Sequence, residues 1–92
     1  MEERVFYIDL TEVTTKEELQ DLIAAELPVP EYYGKNLDAL HDVLTEEGDG
    51  WNIIFYNTKR AARALGKYYE TLRRLSEEAC EEADELQIRF YP

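Results

Sequence analysis

Residues 30–45 read PEYYGKNLDALHDVLT, and this stretch organises the predictions for the rest of the chain. Gly34 is expected to supply a turn that tolerates a positive φ, and Asn36 is a residue type that caps helix N-termini well. Leucines then recur at the spacing of one helix face, at Leu37, Leu40 and Leu44. The stretch therefore predicts a capped helix over residues 37–46 with its leucine face directed at the core.

The other face of this predicted helix is polar and acidic. Side chains spaced i, i+3, i+4 and i+7 share a helix face, and here they are Asp38, His41, Asp42 and Thr45. Tyr32 and Tyr33 lie on the loop just before the helix. The result is a compact acidic and aromatic surface, although a polar face opposite a leucine face is also typical of any surface helix.

Three segments have the composition of strands, because β-branched and aromatic residues dominate them or apolar residues alternate with polar ones. They are residues 4–10, 51–56 and 86–90. The middle segment, WNIIFY, is almost continuously apolar, which predicts a strand that is covered on both faces at the centre of the sheet. The alternation in residues 86–90 predicts a half-buried strand at an edge.

Four helices are predicted between these strands. Thr15 and Glu18 form a capping box for the first helix, which ends by Glu26. Gly48 is expected to close the second helix in the left-handed conformation. The third and fourth are predicted from a cap at Asn57 or Thr58 to Gly66, and over residues 67–83. Strand, two helices, strand, two helices, strand predicts an α/β fold with a three-stranded parallel sheet, because such crossovers return the chain to the same end of the sheet.

The last helix is expected to bury one face and to pair charges on the other. The buried face is predicted to hold Tyr68, Leu72, Leu75 and Ala79. Ion pairs are expected between Glu70 and Arg73 or Arg74, Arg73 and Glu77, and Arg74 and Glu78. Further acids crowd the negative ends of this helix and of the helix at 37–46, where the helix dipole makes negative charge unfavourable. A basic partner would relieve this repulsion. Acidic helix ends also occur without any function.

Composition and length favour a small binding protein. Ninety-two residues, 45% of them hydrophobic, predict one folded domain over residues 1–92 that is too small to enclose a deep cleft, which disfavours an enzyme with a buried pocket. No apolar run could span a bilayer, and the start MEER lacks a signal-peptide pattern, so a cytoplasmic location is expected. The single cysteine, Cys80, excludes an internal disulfide and is expected to pack as a small hydrophobe.

The net charge of −11 is concentrated in the first half of the chain. Residues 1–50 hold 14 acids and 3 bases, whereas residues 51–92 hold 7 of each. An acidic surface of this kind repels phosphate backbones and anionic lipid, and it attracts basic partners. The same charge could also serve only to keep the protein in solution.

The candidate catalytic and metal-binding residues are few. Asp38 and Asp42 could act as an acid and a base one turn apart, but no cleft is evident to desolvate either carboxylate. His41 lacks further metal ligands at a recognisable spacing, so an exposed helix histidine is expected. The four glycines form no phosphate-binding pattern. We therefore expect no catalysis, no metal and no cofactor.

The run PEYYGxNLDALxDxLT closely resembles the corresponding segment of the barstar family, intracellular inhibitors of extracellular bacterial ribonucleases. The similarity is strongest over residues 27–45, and the order of the predicted elements extends it across the chain. The resemblance implies a sheet of order 1-2-3. It also implies a protein that occludes the active site of a small basic, barnase-like ribonuclease with its loop and second helix.

Roles for individual residues follow from this resemblance alone. Asp42 would take the place of a substrate phosphate among the basic side chains of the enzyme, with Asp38 and Thr45 beside it. Tyr32 would pack on a catalytic histidine. Glu78, with Glu82 as a weaker candidate, would add an ion pair from the last helix. The implied contact set also includes Tyr33, Gly34, Asn36 and His41.

Two departures from the family pattern bear on the partner. His41 stands where the best-known member has tryptophan, and Glu46 and Glu47 replace the Gly-Trp pair that follows Thr45 in the family. The target ribonuclease is therefore expected to differ from barnase at its rim. An acidic module that binds a different basic protein or toxin remains the alternative. In either case we expect a monomer in a 1:1 complex, with no binding to nucleic acid or membrane.

Overall fold

The computed structural model describes residues 3–92, which form three strands and four helices. The strands are β1 (Arg4–Asp9), β2 (Trp51–Tyr56) and β3 (Gln87–Phe90), and the helices are α1 (Lys16–Glu26), α2 (Leu37–Glu47), α3 (Lys59–Leu65) and α4 (Lys67–Glu82). All strands are parallel, in the order β1-β2-β3, which confirms the predicted α/β fold. Within residues 3–92, no helix combines the length and apolar character needed to cross a bilayer.

β2 lies at the centre of the sheet, and the helices cover only one face of it. Trp51 and Phe55 are buried on that face. On the other face Ile54 and Tyr56 are half-buried, and Tyr7 of β1 is 62% exposed. The prediction that β2 is covered on both faces is therefore wrong. The apolar side chains of β2 are shielded on this face without a second layer of helices. β1 and β3 pair along its two edges, and the Tyr7 ring lies 6.4 Å from the Tyr56 ring.

The core lies between the covered face of the sheet and the helices. Fully buried side chains come from every layer and include Ile8, Leu19, Ile23, Leu40, Leu44, Ile53 and Leu72. On α4 the buried tyrosine is Tyr69, whereas the predicted one, Tyr68, is half-buried. The reason is that the Tyr69 ring packs edge-on against Phe90 of β3, with 5.8 Å between the ring centroids.

Side-chain caps start α1 and α2 where the sequence predicted them. The Thr15 hydroxyl accepts a hydrogen bond from the Glu18 N–H at 3.1 Å, and the Glu18 carboxylate accepts one from the Thr15 N–H at 3.0 Å. Asn36 Oδ1 accepts from a backbone N–H three residues on, at 2.7 Å. Thr58 precedes α3, but its hydroxyl donates to the Tyr91 carbonyl at 3.0 Å and makes no capping hydrogen bond.

The turns on either side of α2 use residues other than the predicted ones for positive φ. Before the helix, Lys35 rather than Gly34 lies in the left-handed region, with φ of 52°. After it, Gly48 has φ of −80° and Gly50 has φ of 82°. Gly48 is required for a different reason, because a Cβ there would lie 2.3 Å from the Leu44 carbonyl oxygen.

The ion pairs predicted along α4 do not form. Among residues 3–92 the pairs of basic and acidic side chains within 4.0 Å are Lys35–Asp21, an ion pair at 3.0 Å, and His41–Glu82, a hydrogen-bonded pair at 2.8 Å. The Arg73 guanidinium instead lies over the ring of Phe90, 5.2 Å from its centroid. Exposed charge pairs gain little in water, so a contact with an aromatic face competes well with them. Cys80 packs against the core as a partly buried hydrophobe, as predicted, and burial raises the pKa of its thiol.

Two carboxylates, one in the first turn of α1 and one at the end of β1, make the stability of the fold sensitive to acid. Hydrogen bonds from Thr14, and then from Thr15, hold the pKa of Glu18 below its ordinary value, and hydrogen bonds from Thr11 do the same for Asp9. A lowered pKa in the folded state means that the ionised form favours folding. That contribution is complete above the ordinary values of 4.5 for Glu and 3.8 for Asp, and it is lost as the pH falls through the lower folded values.

We therefore expect the midpoint of urea unfolding to decrease as the pH is lowered below about 5. Glu18→Gln should flatten part of this decrease, because an amide at that position can still accept hydrogen bonds but does not titrate. Glu17→Gln, which removes a neighbouring exposed carboxylate, is the matched control. If, below about pH 5, the urea midpoint of Glu18→Gln falls as steeply as that of the parent protein, Glu18 does not contribute to the acid sensitivity.

Candidate functional site

The outward face of α2 carries two acids that have no partner in the described part of the chain. The inner face is anchored by Leu40, Val43 and Leu44, which are buried in the core. Asp38 and Asp42 are consequently exposed, one helical turn apart. Neither carboxylate belongs to the ion pairs found among residues 3–92. Both charges are available to a partner.

His41 lies on the same face but is engaged within the protein. Its Nε2 is 2.8 Å from Glu82 Oε2, and the side chain is only 31% exposed. The prediction of an exposed histidine is therefore wrong. The reason is tertiary, because α4 packs beside α2 and brings an acid of the other helix to the imidazole ring. Glu82, the weaker contact candidate on α4, is occupied by this internal pair.

α2 and α4 border a groove of about 430 Å³, which we call the helix groove. Asp38 and Asp42 line it from α2, and Glu78 and Arg74 line it from α4. The fold thus brings Glu78 to the acids of α2, although some 40 residues separate them in the sequence. Arg74 gives this acidic groove one positive charge.

A second groove of about 430 Å³ lies between the loop and α2, and we call it the loop groove. Tyr32 and Tyr33 line it from the loop, and Glu46 and Glu47 line it from the last turn of α2. The Tyr32 side chain is 83% exposed. Asp42 lines both grooves and therefore lies between them.

A partly buried hydrogen-bond network holds the loop in place. The Tyr33 hydroxyl donates to Gln20 Oε1, and Gln20 Nε2 donates to the Tyr68 hydroxyl at 2.9 Å. Gln20 is 2% exposed. Burial, and to a lesser degree the neighbouring Tyr68, raises the pKa of Tyr33, which keeps its hydroxyl protonated as a donor. The network ties the loop to α1 and α4, while the adjacent Tyr32 faces solvent.

The remaining predicted contact residues shape the two ends of α2. The Asn36 amide donates to the Gly34 carbonyl at 3.2 Å, and Gly34 lines the loop groove. The Thr45 hydroxyl donates back to the His41 carbonyl at 3.0 Å, and Thr45 lines neither groove. The structure therefore gathers most of the predicted residues at the grooves and leaves Asn36 and Thr45 outside both linings.

Arg74 and Gln20 were not predicted as parts of this surface. Arg74 was expected to pair with Glu78 along α4, and nothing in its sequence spacing indicates that it faces α2. Gln20 lies between Leu19 and Asp21 in α1 and carries no pattern of its own. Both are placed by packing between elements that are distant in the sequence, so no local signal could have identified them.

The family model described as "Barstar (barnase inhibitor)" matches residues 3–91 of the chain. The chain belongs to the barstar family. A protein of Bacillus subtilis (strain 168) named "Putative ribonuclease inhibitor YrdF" is 35% identical to it over 91 residues, which cover 92% of this chain and 96% of that protein. The resemblance drawn from residues 30–45 is thereby confirmed. Membership of the barstar family indicates an inhibitor rather than an enzyme, as the sequence predicted.

Proposed function

We propose that this barstar-family protein inhibits a small basic, barnase-like ribonuclease by covering its active site with residues 30–45 in a 1:1 complex. Ribonuclease inhibition in general is supported by the family and by the relative in B. subtilis. The choice of surface rests on one observation. Asp42 is exposed, has no ion-pair partner among residues 3–92, and stands between two grooves.

Within this proposal, Asp42 takes the position of a substrate phosphate. A ribonuclease active site presents cationic and hydrogen-bonding side chains to an anion, and a carboxylate accepts charge-assisted hydrogen bonds from the same groups. Asp38 and Glu78 add negative charge around the helix groove. The core contacts of α2 fix the backbone at Asp42, so little backbone conformational entropy is lost there when the complex forms.

The experiment that tests this function is titration of the protein into a panel of small basic microbial ribonucleases. We expect one member of the panel to lose activity in proportion to added protein, with an endpoint at one inhibitor per enzyme. Inhibition of none at micromolar protein would overturn the proposal and favour the acidic module that binds a different basic protein.

Association is expected to depend strongly on salt. The net charge of −11, with 14 acids and 3 bases in residues 1–50, should accelerate encounter with a basic enzyme, and added salt screens that attraction over about 10 Å at 0.1 M. Stopped-flow mixing at increasing sodium chloride should show a steep decrease in the association rate and a smaller change in the dissociation rate. An association rate independent of ionic strength would contradict electrostatic steering.

A further inference from the structure

The loop groove gathers negative charge that no basic residue of the described chain pairs with. Asp42, Glu46 and Glu47 line it, and none of them belongs to the ion pairs among residues 3–92. The lysine of the loop, Lys35, is held 3.0 Å from Asp21 instead. The last turn of α2 contains no basic residue, so the carbonyl groups at the end of this helix add to the negative potential.

One wall of the same groove is aromatic. The Tyr32 side chain is 83% exposed, while Pro30 and Val43 add apolar surface beside it. An anionic ligand would be repelled by the three carboxylates. An apolar ligand would desolvate those carboxylates without pairing them. A cation satisfies both parts of the groove, because it is attracted to the face of a tyrosine ring and to carboxylate oxygens.

We propose that the loop groove is a receptor for an arginine side chain, with the guanidinium against the groove side of the Tyr32 ring and paired to Glu46 and Glu47. Because Tyr32 is 83% exposed, the other face of its ring stays accessible to the histidine that the family resemblance implies. Arginine is favoured over lysine because its planar group can stack on a ring and donate several hydrogen bonds to carboxylates at the same time. The inference deepens the proposed function and rests on it for the partner. The arginine belongs to the rim of the bound ribonuclease, next to the position filled by Asp42. Glu46 and Glu47 then determine which ribonucleases are bound.

The site can be tested on the protein alone with N-acetyl-arginine amide as the probe. In a ¹H–¹⁵N correlation spectrum we expect saturable shifts at the backbone amides of Tyr32, Gly34, Glu46 and Glu47. N-acetyl-citrulline amide has nearly the same shape without the charge and should shift them little. Exposed ion pairs contribute modestly, so the double variant Glu46→Gln/Glu47→Gln should bind the arginine derivative roughly threefold to tenfold more weakly.

The matched control removes two acids elsewhere on the surface. Glu12→Gln/Glu17→Gln has the same net charge as the groove variant, and both of its positions are exposed and outside the loop groove. It should bind the arginine derivative as the parent does. Tyr32→Leu keeps an apolar side chain but removes the ring, and it should weaken binding. Equal shifts with citrulline, or equal weakening by both double variants, would overturn the proposal.

The same variants separate this inference from the proposed function. With the ribonuclease identified by titration, Glu46→Gln/Glu47→Gln should raise the inhibition constant more than Glu12→Gln/Glu17→Gln does. If that ribonuclease is inhibited equally by both double variants, the arginine receptor is wrong while the inhibitor function stands. If no ribonuclease is inhibited but the arginine derivative still binds at the groove, the groove chemistry stands and the ribonuclease assignment fails.

Discussion

Replacing Asp42 with alanine is expected to produce the largest loss of inhibition of any single substitution on the surface. In the proposed complex, docking would strip water from this carboxylate, and only several charge-assisted hydrogen bonds from the enzyme would offset that cost. The truncated protein would leave the cations of the enzyme buried against a neutral surface. Such truncations cost about 2–5 kcal/mol or more at buried interfacial charge pairs, a range to which complexes of the barstar family themselves contribute.

The loss should appear mainly as faster dissociation, measured by surface plasmon resonance or by competition kinetics with the ribonuclease that the titration identifies. Asp42→Asn separates charge from shape, and near-parental binding by this variant would rule out phosphate mimicry. Tyr32→Ala should rank next through lost aromatic packing. Glu12→Ala, outside the proposed surface, should change little, and an effect as large as that of Asp42→Ala would mean that the binding face has been misplaced.

The largest expected effect on folding comes from Leu44→Ala, on the opposite side of the same helix. Leu44 is 1% exposed, and leucine-to-alanine substitutions at buried sites cost roughly 2–5 kcal/mol through lost burial and the cavity left behind. For a chain of 92 residues we expect a loss of about 3 kcal/mol. The melting temperature should fall by on the order of 15 °C. Urea and thermal unfolding followed by circular dichroism measure both quantities.

Leu44→Ala and Asp42→Ala should have opposite effects on stability and on inhibition. Leu44→Ala should lower stability and keep inhibition, whereas Asp42→Ala should lower inhibition and keep stability. Asp42 is exposed and makes no ion pair among residues 3–92, so its replacement should change the free energy of unfolding by no more than about 0.5 kcal/mol. Leu44→Ala should still inhibit at a temperature where it remains folded, because the Leu44 side chain is buried and does not reach the proposed contact surface. A loss of less than about 1 kcal/mol for Leu44→Ala would mean that the core around α2 collapses to fill the cavity.

Features that depend on neighbours in the sequence were predicted well. The parallel direction of the strands, the capping box at Thr15 and the cap at Asn36 all follow from residues within a few positions of each other or from the lengths of crossovers. The strand order β1-β2-β3 was implied by the family resemblance. Local backbone conformation was predicted less well, since Lys35 rather than Gly34 takes the positive φ before α2. The residue types in a turn indicate which positions tolerate a positive φ most readily. They do not show which residue adopts that conformation in the folded protein.

By itself, the sequence determined the family, the order of the elements and the exposed position of Asp42, because helical spacing assigns each residue of α2 to the core or to solvent. Only the tertiary structure decided what surrounds that carboxylate. The pairing of His41 with Glu82 and the presence of Arg74 in the helix groove depend on how α2 packs against α4. Such contacts join residues some 30 to 40 positions apart, and no periodicity within one helix encodes the face that another helix will present to it.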